Sequence, residues 1–239
     1  FLINCMNSVY AILQKKHSTE ARMMARDMRQ IRHFIWDFDG TLFDTYPVII
    51  ENLRSALAEY GRDCDPVDAM RRMLVTSPAA RNHYADEYGI GRDALAEAYG
   101  RYHARANETL AAQPYAGVRE VLAHICDTGR HNYIFTHRKA WETELYLKKY
   151  GMEHFFRDIV GPETPGFALK PAPDAVLYLM NKYGMDATDT AMVGDRECDL
   201  GSGRNAGVKA VHLVCAAAPE DLVCDWRLDN FAQMLELLK

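Results

Sequence analysis

Several features are missing from this chain of 239 residues, and each absence removes a class of protein. No apolar run approaches the roughly 20 residues that cross a bilayer as a helix, which argues against a membrane protein. Basic charge is not in excess. Twenty-eight Lys and Arg stand against 33 Asp and Glu, a formal net charge of −5, whereas nucleic-acid binders are more often basic. Cysteine is sparse: Cys5, Cys64, Cys126, Cys198, Cys215 and Cys224 form neither a CxxC pair nor a zinc-like cluster with histidine. Free thiols in a reducing cytoplasm are therefore expected. Internal repeats and low-complexity stretches are absent. Residues 2–13 are moderately apolar, but no basic stretch precedes them and no small-residue cleavage site follows, so no signal peptide is read there. The chain begins at Phe1, with Met6 and Met28 as candidate starts. Residues 1–30 are read as an N-terminal extension of unassigned role, with helical spacing at Val9, Ile12 and Leu13.

What is present is an alternation of short apolar runs with amphipathic stretches. The runs are His33–Trp36, Asn132–Phe135, Asp158–Val160, Thr190–Val193 and Val208–Leu213, with Asp225–Leu228 as a last edge strand. Helical periodicity covers 117–128, 138–150, 172–184 and 198–206. Strand alternating with helix predicts an α/β fold, a Rossmann-like doubly wound parallel sheet with right-handed crossovers. Such sheets bind ligands at the carboxyl ends of their strands. Asp37, Thr136 and Asp195 each follow an apolar run, so they are expected to meet at one edge of the sheet.

Residues 46–113 break the rhythm. Helices are expected at 47–60, 66–75, 79–88 and 92–112, punctuated by Gly61, Pro66, Pro78, Gly89 and Gly91, with no strand between them. This region reads as a helical cap inserted after the first strand. The α/β core then comprises 31–45 and 114–239.

The chemistry begins at Asp37-Phe38-Asp39-Gly40-Thr41-Leu42. A carboxylate can attack phosphorus and split one hard step into two. A second carboxylic acid can protonate the leaving oxygen and then activate water. Gly40 lets the backbone turn away from the strand. Thr136, in Ile134-Phe135-Thr136-His137-Arg138, offers a hydroxyl beside backbone N–H groups; standing alone it also reads as a helix N-cap. Lys170, in Lys170-Pro171-Ala172-Pro173-Asp174, is a point cation. Asp195, in Gly194-Asp195-Arg196-Glu197-Cys198-Asp199, is a hard oxygen ligand of the kind Mg²⁺ takes. Asp199 lies one helical turn further on and can support metal waters or Lys170.

These four segments, in this order, resemble the motifs of the haloacid dehalogenase-like (HAD) superfamily, and the resemblance spans about residues 32–239. It implies a nucleophile at Asp37 and a general acid and base at Asp39. It implies phosphoryl binding by Thr136, Lys170, His137 and Gly40, and Mg²⁺ held by Asp37, the Asp39 backbone carbonyl and Asp195. Asp44 and Asp199 fall to supporting positions, Asp44 near the cap hinge. Asp39 departs from the dehalogenase branch, which lacks that residue, and from the P-type ATPase branch, which has Thr there. The cap holds no lysine for the Schiff base of the phosphonatase branch. The pattern looks closest to phosphoglycolate phosphatase-like enzymes, acting on a small phosphorylated metabolite as monomer or homodimer. A β-phosphoglucomutase-like enzyme and a binding module without catalysis are the alternatives. The cap carries Arg54, Arg62, Arg71, Arg72, Arg81, Arg92, Arg101 and Arg105. Most are expected on solvated faces, with one or two facing the pocket to hold a carboxylate or second phosphate.

Overall fold

The computed structural model describes residues 28–76, 78–214 and 222–239, so Cys5, Cys215 and the helical spacing of Val9, Ile12 and Leu13 lie outside the described residues. Six parallel strands form one sheet: β1 (His33–Trp36), β4 (His131–Phe135), β5 (Phe156–Val160), β6 (Thr190–Gly194), β7 (Lys209–Leu213) and β8 (Trp226–Leu228). Their order is β5-β4-β1-β6-β7-β8. The chain first builds outward from β1 through β4 to β5. It then returns to the other side of β1 with β6. That reversal makes the β1/β6 boundary a topological switch point, where open α/β sheets bind their ligands.

Strand residues alternate between two apolar clusters. Phe34, Trp36, Ile134, Ala191 and Val193 face one side, packed with α5 (Val118–Asp127), α6 (Ala140–Lys149) and α9 (Phe231–Leu238). Ile35, Tyr133, Phe135 and Met192 face the other, packed with α7 (Asp174–Tyr183). Helix α8 (Glu197–Asn205) lies against β6 and β7. Both faces are covered, which is why these strands read as continuous apolar runs.

Between β1 and β4 the chain leaves the sheet as predicted. Helices α1 (Tyr46–Ala58), α2 (Pro66–Val75), α3 (Ala79–Tyr88) and α4 (Arg92–Thr109) share a core of their own, built on Leu53, Leu57, Met73, Tyr84 and Leu95. Pro66 follows the N-cap Asp65, whose carboxylate accepts from the Asp68 N–H, and Gly89 ends α3 in the left-handed conformation. Two features differ from expectation. A two-stranded antiparallel ribbon, β2 (Phe43–Asp44) with β3 (Gln113–Pro114), joins the cap to the sheet, so strand structure does reach Gln113. And α9 closes the chain, its Phe231 ring stacked at 6.1 Å on Trp36 in the central strand. Phe231→Ala is expected to destabilise the fold by about 3–5 kcal/mol, because the lost ring leaves a cavity against a fully buried strand residue. Urea denaturation followed by circular dichroism checks this.

Candidate active site

The neighbouring ends of β1, β4 and β6 bring Asp37, Thr136 and Asp195 together at one edge. The Asp37 N–H still donates to the Val193 carbonyl at 2.8 Å, so Asp37 continues the strand ladder by one residue. Beyond it the loop folds tightly, with the N–H groups of Leu42 and Phe43 donating to the Phe38 carbonyl at 3.0 and 3.1 Å. Gly40 sits at φ +79°, and a Cβ there would fall 2.3 Å from the Tyr46 ring and 2.7 Å from Asp195 Oδ2. The turn therefore demands glycine on both conformational and steric grounds. Gly194 serves the same edge. A Cβ on it would lie 2.2 Å from that of Asp199, so its absence lets the first turn of α8 approach the strand end.

Three carboxylates converge there, all buried. One oxygen each of Asp37, Asp195 and Asp199 lies within 4.8 Å of the other two. Lys170, itself buried, bridges two of them, donating to Asp37 Oδ1 at 2.5 Å and Asp199 Oδ1 at 2.8 Å. Asp199 Oδ2 accepts from the Arg196 N–H at 3.0 Å. Asp195 accepts from Thr41 Oγ1 at 3.0 Å and from the Tyr46 hydroxyl at 2.6 Å. Burial and the neighbouring Asp199 charge push both Asp37 and Asp195 above the usual carboxylate range. Asp199 moves the other way: burial raises it, but Lys170 and Arg196 more than offset that. Asp37 Oδ2 is buried with no hydrogen-bond partner. An orphaned carboxylate oxygen among all-oxygen donors, in a site with surplus negative charge, fits a hard divalent cation such as Mg²⁺.

Asp39 turns from this cluster toward a cavity of about 850 Å³ between the sheet edge and the cap helices. The Arg138 guanidinium grips it, with Nη2 at 2.7 Å from Oδ1 and Nε at 3.2 Å from Oδ2. Burial raises the Asp39 carboxyl, but Arg138 beside it brings the net below the usual range. Arg138 Nη1 also donates to Asn107 Oδ1 on α4 at 3.0 Å, and Glu142 on α6 lies 3.3 Å from His103 on α4. This polar chain joins the core to the cap.

A family model described as haloacid dehalogenase-like hydrolase matches residues 34–213. The chain belongs to that family. This HAD hydrolase is 28% identical to the N-acetylmuramic acid 6-phosphate phosphatase of Pseudomonas aeruginosa, over 84% of the chain and 89% of the relative. It is 31% identical to a phosphoglycolate phosphatase of Pseudomonas syringae pv. syringae, over 75% of the chain and 68% of the relative. In fold it is similar to the crystal structure of a predicted phosphoglycolate phosphatase from Haemophilus somnus. That similarity has TM-score 0.78 at 22% identity, covering 88% of this chain and 99% of the other.

Within the HAD hydrolase, Asp37, Asp39, Gly40, Thr136, His137, Lys170, Asp195 and Asp199 occupy one contiguous edge. Thr136 does not cap α6, whose N-cap is Lys139; instead its Oγ1 accepts from the Arg138 N–H at 3.0 Å. His137 Nε2 accepts from the Lys170 N–H at 2.9 Å and so anchors the lysine loop. Burial, with the Lys170 and Arg196 charges, lowers the His137 pKa to about 4, leaving it neutral with its proton on Nδ1. Asp44 lies outside the cluster. It is exposed in the ribbon and accepts from the Tyr115 hydroxyl at 3.4 Å. Sequence reasoning missed Arg138 and Arg196 as site residues. The one signal available was their place beside motif residues.

Lys170→Met removes the cation that separates Asp37 from Asp199. In metal-free buffer with EDTA it is expected to cost about 3–5 kcal/mol, the usual penalty for stranding a buried charge. Chemical denaturation of the two proteins side by side measures it.

Proposed function

We propose that this protein is a Mg²⁺-dependent phosphatase that hydrolyses a small phosphorylated metabolite through an aspartyl-phosphate intermediate. The observation that carries the reading is the pairing of a buried nucleophile with an acid two residues away. Asp37 Oδ2 is orphaned at the strand end, while Asp39 faces the cavity. The relatives named above are phosphatases of phosphate monoesters, which agrees with this chemistry. Residues 46–113 act as the cap, and 31–45 with 114–239 as the core.

The residues divide the work as follows. Lys170 holds Asp37 Oδ1 and leaves Oδ2 free to attack phosphorus in line. The P–O bond to the leaving alcohol breaks, and Asp39 gives that oxygen a proton. Asp39, now a carboxylate, takes a proton from water, and the resulting hydroxide attacks the phosphorus of the acyl phosphate. Phosphate leaves and Asp37 is restored. Thr136 and Lys170 face the phosphoryl oxygens; the Gly40 N–H, expected among these donors, is spent on the Phe43 carbonyl at 2.9 Å, and His137 keeps the lysine loop in register. Arg138 favours Asp39 as a carboxylate, the form needed for the water step, so the acid step requires that grip to loosen. Asp37 and Asp195, with the Asp39 backbone carbonyl and Asp199 behind them, would hold the magnesium ion. When bound, that ion neutralises charge building on the phosphoryl oxygens.

Two outcomes test the reading. Purified protein should release inorganic phosphate from members of a phosphate-ester panel with Mg²⁺ present, and stop when EDTA is added. Asp37→Asn should reduce that rate at least 1,000-fold, about 4 kcal/mol of barrier. A wild type as inert as the variant across the panel would sink the proposal. Independently of turnover, millimolar Mg²⁺ should raise Tm of the wild type, and Asp195→Asn should abolish the shift. Differential scanning fluorimetry reads it.

A further inference from the structure

The cavity above Asp39 is lined on its cap side by one arginine of the eight that the cap carries, Arg81. The others are occupied elsewhere or point away. Arg54 pairs with Asp63 at 2.8 Å, Arg72 with Asp68 at 2.7 Å, Arg92 with Asp86 at 2.5 Å and Arg101 with Glu59 at 2.6 Å. Arg62 lies over the Tyr88 ring and Arg105 over Tyr102. Arg71 is exposed and does not line the cavity.

Arg81 differs in its surroundings. Among the described residues no carboxylate pairs with it, and its Nε is buried without an acceptor. Its guanidinium stands 5.5 Å from the centre of the Tyr99 ring, which fixes its direction. Tyr99 connects it to the chemistry, because the phenol is close enough to feel the charges of Arg138, Asp39 and Arg81 together. Asn52 flanks the same phenol behind the cavity wall, which it does not itself line. Of the other charges on the cavity wall, Asp39 is matched by Arg138 and Glu142 by Arg138 and His103, while Glu108 and Lys139 are exposed, Lys139 lying over the Trp141 ring. A buried donor left unmatched costs free energy that a ligand acceptor recovers. A cationic donor of this kind, held against a ring on the cavity wall, describes a subsite that lacks an anion.

We propose that Arg81, held against Tyr99, recognises a second anionic group on the leaving-group side of the substrate. The substrates are then phosphate esters that carry a further carboxylate or phosphate, and the cap selects them by that charge. This rests on the phosphatase reading and adds the substrate class to it. The planar guanidinium suits either anion, since both accept its paired N–H groups.

The test compares three Mg²⁺-supported substrates: p-nitrophenyl phosphate, a phosphate ester with a carboxylate on its leaving group, and a bisphosphate. Wild type, Arg81→Ala, Arg81→Lys and Arg92→Ala are measured on each. The wild type should prefer one of the charged esters, and which one identifies the anion. Arg81→Ala should lower the charged-to-neutral ratio of kcat/KM by about 10- to 100-fold, the usual worth of a charge-assisted hydrogen bond, mainly through KM. Arg81→Lys should restore part of it, and Arg92→Ala should keep the wild-type ratio. An unchanged ratio in Arg81→Ala, or a wild type indifferent to the second charge, overturns the inference while leaving phosphate release from the aryl ester intact. Binding gives a readout without turnover. In the Asp37→Asn background the favoured ester should raise Tm, and adding Arg81→Ala should remove that rise. Retention of the full rise in the double variant overturns the proposal as well.

Discussion

Three carboxylates buried within 4.8 Å of one another repel strongly, and the rest of the site is organised around that repulsion. In a low-dielectric interior like charges at this separation cannot all stay ionised without nearby cations. Lys170 and Arg196 provide part of the compensation, and both are tied to Asp199. Asp199 is thereby held as a firm carboxylate, while Asp37 and Asp195 remain under-compensated. The imbalance has a use. A site left short of positive charge is one that a divalent ion completes, and the orphaned Asp37 oxygen marks where that charge is missing.

The sheet makes this cluster possible. Asp37 and Asp195 each follow a buried strand, Asp199 lies in the first turn of α8 just beyond, and parallel strands finish on the same side, so residues some 160 positions apart in sequence become neighbours without long connecting loops. Glycine is required at two places where the approach is closest. Gly40 clears the way for Tyr46, and Gly194 for Asp199. Tyr46 is the first residue of the cap yet its hydroxyl binds a core carboxylate, so the connection between the two parts is fastened directly at the cluster.

Most of the sheet was legible because its strands are short apolar runs ended by polar residues, and nearly all boundaries lie within two residues of expectation. The site acids were legible for the same reason: DFDGTL and GDRECD stand at strand ends. What was not legible depends on distance. Arg138 finds Asp39 across 99 positions, and no periodicity announces such a pair. The β2/β3 ribbon is two residues per strand, too short for alternation to register. Helix α9 lies in a run of Leu, Met and Phe whose partner, Trp36, is nearly 200 residues away. The single inward cap arginine was equally hidden. Eight arginines on four amphipathic helices look alike until packing shows which carboxylates lie beside each.

Core and cap therefore carry different kinds of information. In the core every charge near Asp37 has a partner or a place for a metal, and that arrangement is indifferent to what a phosphate would be attached to. In the cap, Arg54, Arg72, Arg92 and Arg101 are neutralised by neighbouring acids and say little, because such pairs are weak and local. The chain Asp39–Arg138–Asn107 connects the two regions through a buried arginine that cannot give up its charge. Any displacement of α4 relative to α6 must stretch that chain or break it. The surroundings of Asp39 are thus tied to the position of α4 through the same guanidinium.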